Sequence, residues 1–431
     1  MPRWRSFDYR LYEDARLRQR RSGQWAILSA IGSRGRAWIA KVGDEGARRV
    51  KHTAEVVIIG AGIMGCAIAH ALAERGVTDV VVLERDQIGR GATADAAGGV
   101  RQQFSTETNI RLAQESVRVW EAFPERFGRD IGLRQQGYLF LITDPTEEPV
   151  FRENIALQQS LGVPSRWVTP QQIAELNPHV LLDDVIGGAF CPEDGWCDTY
   201  GATIGFVQTA RALGVRIEEE TPATGIAIDG DCVRGVQTPQ GDVKSPLVII
   251  TAGPQTRGVG AMAGVDLPID PYRRMSFITE PFDALPQSLP MTIDFASGLY
   301  FHPESRGFLF GMANREEPST TDKTVDENWM VTTVEALVER APAFAEASIL
   351  RGWAGFYEVT PDDNPLLGWT GGPEGLAVAA GFSGHGFMQG PAIGRCMAEL
   401  LLDGAASGID ISPFRPSRFA EGVLAQEHNV I

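Results

Sequence analysis

Apolar residues run almost unbroken from 56 to 73, interrupted mainly by Gly60, Gly62 and Gly65. The β-branched start (Val56, Val57, Ile58, Ile59) reads as a buried strand, and the alanine-rich stretch from Cys66 to Glu74 reads as a helix. The run approaches the ~20 residues that cross a bilayer. Glycines at 60, 62, 65 and 76, together with His70, argue against a span. A second apolar stretch, 80–83, ends in Glu84. Further on, Ile110, Ala113, Val117, Trp120 and Phe123 recur at helical spacing behind Ser105 or Thr106 as cap. Thr169-Pro170-Gln171-Gln172 forms a capping box with proline in the first turn. From Gly214 the pattern predicts strands at 215–217, 224–228, 233–238 and 247–253, all expected to rejoin the first sheet. A β-rich block at 274–279 and 299–312, broken by turns at Pro281, Pro286 and Pro290, predicts a second domain. Residues 314–328 are polar and acidic, a solvated loop or a lid. Residues 375–394 repeat the order strand, glycine turn, helix, with Pro391 expected in the first helical turn.

The 431 residues are 43% hydrophobic and 22% charged, an ordinary globular composition for two or three packed units. Their net charge of −16 is uneven: residues 1–54 hold thirteen Arg/Lys against five Asp/Glu, so the acidic excess lies in the rest. An acidic body gives no reason to expect nucleic-acid binding. The basic leader matches neither a transit peptide, since it contains acids, nor a clean export signal, and it is expected to be a loosely ordered extension over residues 1–53. Five cysteines without CxxC spacing predict reduced thiols and a cytoplasmic protein, and the scattered histidines predict no metal site.

Gly60-Ala61-Gly62-Ile63-Met64-Gly65 between strand and helix has the chemistry of a dinucleotide clamp. Gly60 permits the turn, Gly62 lets the backbone approach a pyrophosphate, and Gly65 lets helix and strand pack closely. Glu84, about twenty residues on, offers a carboxylate to ribose hydroxyls and would repel a 2′-phosphate, which leaves NAD and FAD. Residues 85–100 are small and glycine-rich, suited to a flat ligand approached by backbone. The glycines before Gly386 would turn a second helix N-terminus, with its partial positive charge, toward whatever lies there.

Five blocks together resemble the FAD-dependent D-amino-acid-oxidase superfamily, in the branch of sarcosine oxidases, proline dehydrogenase β subunits and dimethylglycine-dehydrogenase-like proteins. They are residues 56–65, 91–104, 249–253, 352–368 and 381–394, in an order and spacing that covers nearly the whole chain beyond Ala54. The resemblance implies an α/β two-domain flavoprotein: a Rossmann-like FAD-binding domain (54–100, 184–264 and 352–431) and an α+β substrate domain with a largely antiparallel sheet (101–183 and 265–351). It implies FAD held by Gly60, Gly62, Ile63, Met64, Gly65, Glu84, Arg85, Gly91, Ala92, Thr93, Gly98, Gly99, Ala252, Gly253, Gly384, His385, Gly386, Phe387 and Met388. The implied reaction is oxidation of the C–N bond of a small amino acid or secondary or tertiary amine by hydride transfer to flavin N5, with the second helix stabilising the charge gained by ~0.3–2 kcal/mol.

Arg101 matches the arginine that relatives pair with the substrate carboxylate, and Tyr357 falls where sarcosine-oxidase relatives keep a substrate-contacting tyrosine; these two are the catalytic candidates. On residue type alone, a surface or phosphate-facing arginine is the alternative for Arg101, and a core aromatic the alternative for Tyr357. Trp353, Phe387 and Met388 would form apolar walls, and Asp362 and His385 could titrate nearby. Asp95 and Gly355 stand where relatives carry flavin-tethering residues, so FAD is expected to be noncovalent. Met388 replaces a lysine that helps bind carboxylate. Leu309 and Ala313 stand where oxidases carry an oxygen-activating lysine and a histidine, which favours a dehydrogenase passing electrons to a partner protein or quinone, with a hetero-oligomer possible. The competing readings are a flavin-binding electron-transfer or assembly subunit without its own turnover and, less favoured, an NAD-linked dehydrogenase.

Overall fold

The computed structural model describes residues 52–424 and 426–430, so the expected basic extension lies almost wholly outside the described residues. Val56–Ile59 is an inner strand of a six-stranded sheet. Its order is Leu366–Trp369, Leu376–Ala380, Leu247–Ile250, Val56–Ile59, Val80–Leu83, Arg216–Glu218, and only the Leu366–Trp369 edge is antiparallel. Both faces are covered, which is why these strands read as continuous apolar runs. Val56, Ile58, Val80 and Val82 pack against helices, among them Ile63–Glu74 and Gly386–Asp403. Val57, Ile59, Val81 and Leu83 pack on the opposite side with Ile226, Val233 and Val236.

Those last three residues correct one expectation. Gly225–Asp229 and Cys232–Gln237 do not rejoin the parallel sheet; they pair antiparallel with each other and with Val243–Lys244 as a separate three-stranded sheet. The backbone of Val56–Ile59 is already paired on both sides, so the hairpin closes on its nearest neighbour in sequence and lays its apolar side over the sheet's open face.

A second sheet has eight strands in the order Ile349–Val359, Asp270–Thr279, Gly307–Met312, Leu299–Glu304, Met291–Asp294, Tyr138–Ile142, Gly187–Cys191, Arg166–Val168. It is antiparallel except where Met291–Asp294 runs along Tyr138–Ile142. Two stretches expected mainly with the FAD-binding segments, Gly187–Cys191 and Ile349–Val359, are strands of this larger sheet.

The helix Glu107–Glu121 buries Ile110, Ala113, Val117 and Trp120 as its spacing predicts, while Phe123 opens the next helix, Phe123–Phe127. Neither Ser105 nor Thr106 caps it through a side chain; both hydroxyls bond instead to the Glu427 carboxylate. The capping box at Thr169 and Gln172 forms as expected. Pro391 lies inside the helix Gly386–Asp403, a turn later than expected. Proline interrupts the helical hydrogen-bond ladder there. Two side chains one turn apart on Glu107–Glu121 attend the break: Trp120 Nε1 donates to Met388 O at 3.1 Å, and Ser116 Oγ accepts from Ala392 N at 3.2 Å. The neighbouring helix therefore meets backbone groups on either side of the proline. Among the described residues no helix is long and apolar enough to cross a membrane.

Candidate active site

A single cavity of about 490 Å³ runs from the Gly60 turn to the strands of the larger sheet. Gly60 has φ +113°, and a Cβ there would fall 2.4 Å from Thr251 O; one at Gly65 would fall 2.0 Å from Gly60 O. Only glycine allows strand, turn and helix to meet this closely. Glu84 closes the turn by accepting from Ala61 N at 2.8 Å and Asp86 N at 2.9 Å, and Thr93 Oγ1 accepts from Ile63 N at 3.1 Å. All the residues expected to hold the cofactor line this cavity except Gly65, whose place is the packing beneath the turn.

The other glycine cluster ends at Gly386, the first residue of its helix, with Phe387 and Met388 following along the wall. No side chain caps this N-terminus. Its first-turn N–H groups have no intrahelical acceptors and carry the positive end of the helix dipole. Gly384 (φ +95°) is required by a close approach, since a Cβ would lie 2.3 Å from the Tyr357 ring. Around this turn sit buried polar atoms with no hydrogen-bond partner among the described residues: Ser383 Oγ, both ring nitrogens of His385, and Glu358 Oε2. Such groups are rare in a folded interior unless a ligand meets them. A glycine cradle at one helix N-terminus, unmet polar atoms at another and one continuous cavity between them fit a long dinucleotide such as FAD.

Arg101 is 4% exposed and stacks over Phe104 at 4.1 Å. Nη1 donates to Gln103 O and Nη2 to Asn429 O, both at 2.5 Å. No carboxylate pairs with it among the described residues, and desolvation pulls its guanidinium below its ordinary pKa. Tyr357 stands on Ile349–Val359 opposite Tyr272, and burial raises its phenol. It is therefore a protonated hydrogen-bond donor at neutral pH. Burial, reinforced by Arg101, lowers His385 to about 3, so its imidazole is neutral. Burial pushes Glu358 up to about 7 against bonds from the Gly381 and Phe382 backbone.

Two expectations about neighbouring groups change. Asp362 does not reach the cavity; it is fully buried in an ion pair with Arg418 at 2.7 Å. Trp353 is not a wall of the cavity, because its Nε1 reaches out to Asp95 O at 2.9 Å. Phe387 and Met388 do line it.

Sequence reasoning missed a second cation, Arg274, and the C-terminal segment. Arg274 lines the cavity with its guanidinium 5.1 Å from the centre of the Tyr357 ring. Its signal was the alternation of Arg274 and Ser276 with Met275 and Phe277 along one strand. At the other end of the chain, Glu427 accepts from Ser105 N, Ser105 Oγ and Asn109 Nδ2 at 2.7–2.9 Å, which delivers Asn429 to Arg101 and Val430 to the cavity.

A profile described as "FAD dependent oxidoreductase" (DAO) matches residues 55–400. Mitochondrial dimethylglycine dehydrogenase of Rattus norvegicus is 29% identical over 87% of this chain, although the match covers only 46% of that relative; the chain thus spans about half its length. FAD-dependent oxidoreductase domain-containing protein 1 of Xenopus laevis is 31% identical over 88% of this chain and 85% of its own. Among solved structures, L-proline dehydrogenase from P. horikoshii superposes with a TM-score of 0.82 at 35% identity, covering 87% of this chain and all of that one. A helix-flanked parallel sheet bearing the glycine turn, a large mostly antiparallel sheet and the extent of these matches lead to one conclusion: the chain belongs to the DAO family of FAD-dependent oxidoreductases.

Proposed function

We propose that this protein oxidises the C–N bond of a small amino acid or secondary or tertiary amine, and that it is a dehydrogenase holding FAD noncovalently. The observation that carries the reading is Arg101, a buried cation on the cavity wall whose hydrogen-bond partners among the described residues are backbone carbonyls. A desolvated charge is costly unless an anion joins it. A substrate carboxylate would supply that anion, with a charge-assisted bond worth ~1.5–3 kcal/mol. The substrates named by the relatives, dimethylglycine and L-proline, carry a carboxylate beside the amine, so this chemistry suits them.

FAD, when bound, supplies the acceptor for a hydride equivalent released from the carbon next to the amine nitrogen. Our reading assigns 54–100, 184–264 and 352–431 to its binding and 101–183 and 265–351 to the substrate, with strands 187–191 and 349–359 shared through the larger sheet. Arg101 would fix the carboxylate and Tyr357 would donate a hydrogen bond, so that the carbon to be oxidised is held in one orientation. The cationic wall disfavours a protonated amine and so favours the neutral form that can release hydride. Neutral His385 adds no competing charge. The product imine would leave to be hydrolysed by water.

Noncovalent attachment is supported by the lining, which among the described residues has no cysteine and has Asp95 and Gly355 at the two tether positions. Among the described residues no lysine lines the cavity, and Ala313 contributes only a methyl group, which supports an acceptor other than oxygen. The test is anaerobic addition of sarcosine, dimethylglycine, proline and pipecolate to the yellow holoprotein. At least one should bleach the flavin, and colour should return slowly in air and quickly with a quinone or dye. A flavin that dithionite bleaches but no amine does would indicate an electron-transfer or assembly subunit.

A further inference from the structure

We propose that the amine oxidised here is a dicarboxylic one: one carboxylate pairs with Arg101 and a second, elsewhere in the molecule, pairs with Arg274. The inference rests on the reading of the cavity as an amine-oxidising site and adds the substrate class. Arg274 stands on Asp270–Thr279 opposite Gly355, with Ser276 two residues along the same face. Its Nη1 donates to Arg273 O at 2.9 Å, while its Nε is buried without a partner among the described residues. Burial pulls its guanidinium below the ordinary value, as it does for Arg101.

Two carboxylates of this region are committed elsewhere, and the buried Glu358 carboxyl holds its proton up to about 7. Glu317, whose field favours the charged form of Arg274, is bound to Arg273. Asp95, on the wall behind Gly355, is bound to Lys323 at 2.5 Å. Arg101 and Arg274 line the same cavity, Arg274 with its guanidinium 5.1 Å from the centre of the Tyr357 ring, so one molecule held in that cavity can meet both. A monocarboxylate would leave one desolvated guanidinium without an anion. A diacid satisfies both. Ser276 Oγ and Tyr300 OH, 2.9 Å apart on the cavity wall, supply neutral hydrogen bonds beside Arg274.

The test compares N-methylalanine, N-methylaspartate and N-methylglutamate, which share the same reacting amine, as reductants of the holoprotein with a dye acceptor. At least one diacid should exceed N-methylalanine in kcat/KM by roughly ten- to a hundredfold, the range of one charge-assisted pair. R274Q should lose about tenfold more on the preferred diacid than on N-methylalanine, and R274K should keep part of the preference. Binding of unreactive glutarate against butyrate, followed by calorimetry on wild-type and R274Q holoprotein, reads the second charge without turnover. Oxidation of N-methylalanine as fast as the diacids, with glutarate no tighter than butyrate, would overturn the inference and leave the amine-oxidising reading intact. Failure of every amine to bleach the flavin, with glutarate still favoured through Arg274, would instead overturn that reading and keep the two-anion site.

Discussion

Arg418 and Arg101 are two arginines buried to nearly the same degree, 0% and 4% exposed, yet their surroundings differ. Arg418 meets Asp362 through both Nε and Nη2, at 2.8 and 2.7 Å, and donates further to the Pro365, Phe414 and Asn364 carbonyls. Arg101 meets carbonyls and an aromatic face but, among the described residues, forms no direct ion pair with an acid. A buried cation with its counter-charge inside the fold clamps the chain; one without it leaves room for an anion from outside. The contrast separates a residue of the architecture from a residue of the site even though both are conspicuous buried charges.

The strongest way to break this contrast is to remove the architectural pair. R418M leaves Asp362 buried and unpaired and should cost about 3–5 kcal/mol of unfolding free energy, measured by denaturant titration. R101M should cost clearly less stability, because Arg101 has no direct ion pair among the described residues and the buried acids Asp194 and Glu427 keep their own hydrogen bonds. Its effect should appear in catalysis instead, as a loss of roughly ten- to a hundredfold in kcat/KM for an amino-acid substrate. Equal destabilisation by the two variants would erase the distinction. A smaller effect is expected from Y357F, about two- to tenfold in kcat/KM with the fold retained, in line with a neutral hydrogen bond.

The least of these effects is one of pH. Glu358 holds its proton in the folded protein up to about 7, whereas the unfolded carboxyl loses it near 4.5. The folded state therefore binds more protons in that window, and this contribution to stability is present below the lower value and lost as pH rises through the upper. Asp194, raised to about 6 by burial, acts with the same sign. Thermal melts from about pH 4.5 to about pH 8 should show E358Q gaining on the wild type as pH increases. A constant difference between the two would mean that Glu358 is ionised throughout.

The two arginines also show where sequence stops being legible. The first clamp could be read because its parts are local: strand, three glycines, helix and Glu84 lie within thirty residues, and each plays a role dictated by backbone sterics. Arg101 was visible only through resemblance, since its partners Asn429 and Phe140 are distant in sequence. Arg274 was hidden beside Arg273, and nothing in an Arg-Arg pair says which guanidinium binds Glu317 and which meets the cavity. Strand pairing decides that, by setting Arg274 opposite Gly355. Asp362 misled for the same reason: its partner Arg418 is fifty-six residues away. The pattern that marks 224–228 and 233–238 as strands likewise could not say which sheet they join.

The most direct test of the claim that Arg101 awaits a substrate carboxylate is an anaerobic comparison of each bleaching amino acid with its primary amide, which keeps the amine and loses the charge. We predict flavin reduction by the acid and a rate constant per substrate concentration at least about tenfold lower for the amide, with that gap closing in R101M. Equal reduction by acid and amide in the wild-type holoprotein would contradict the account.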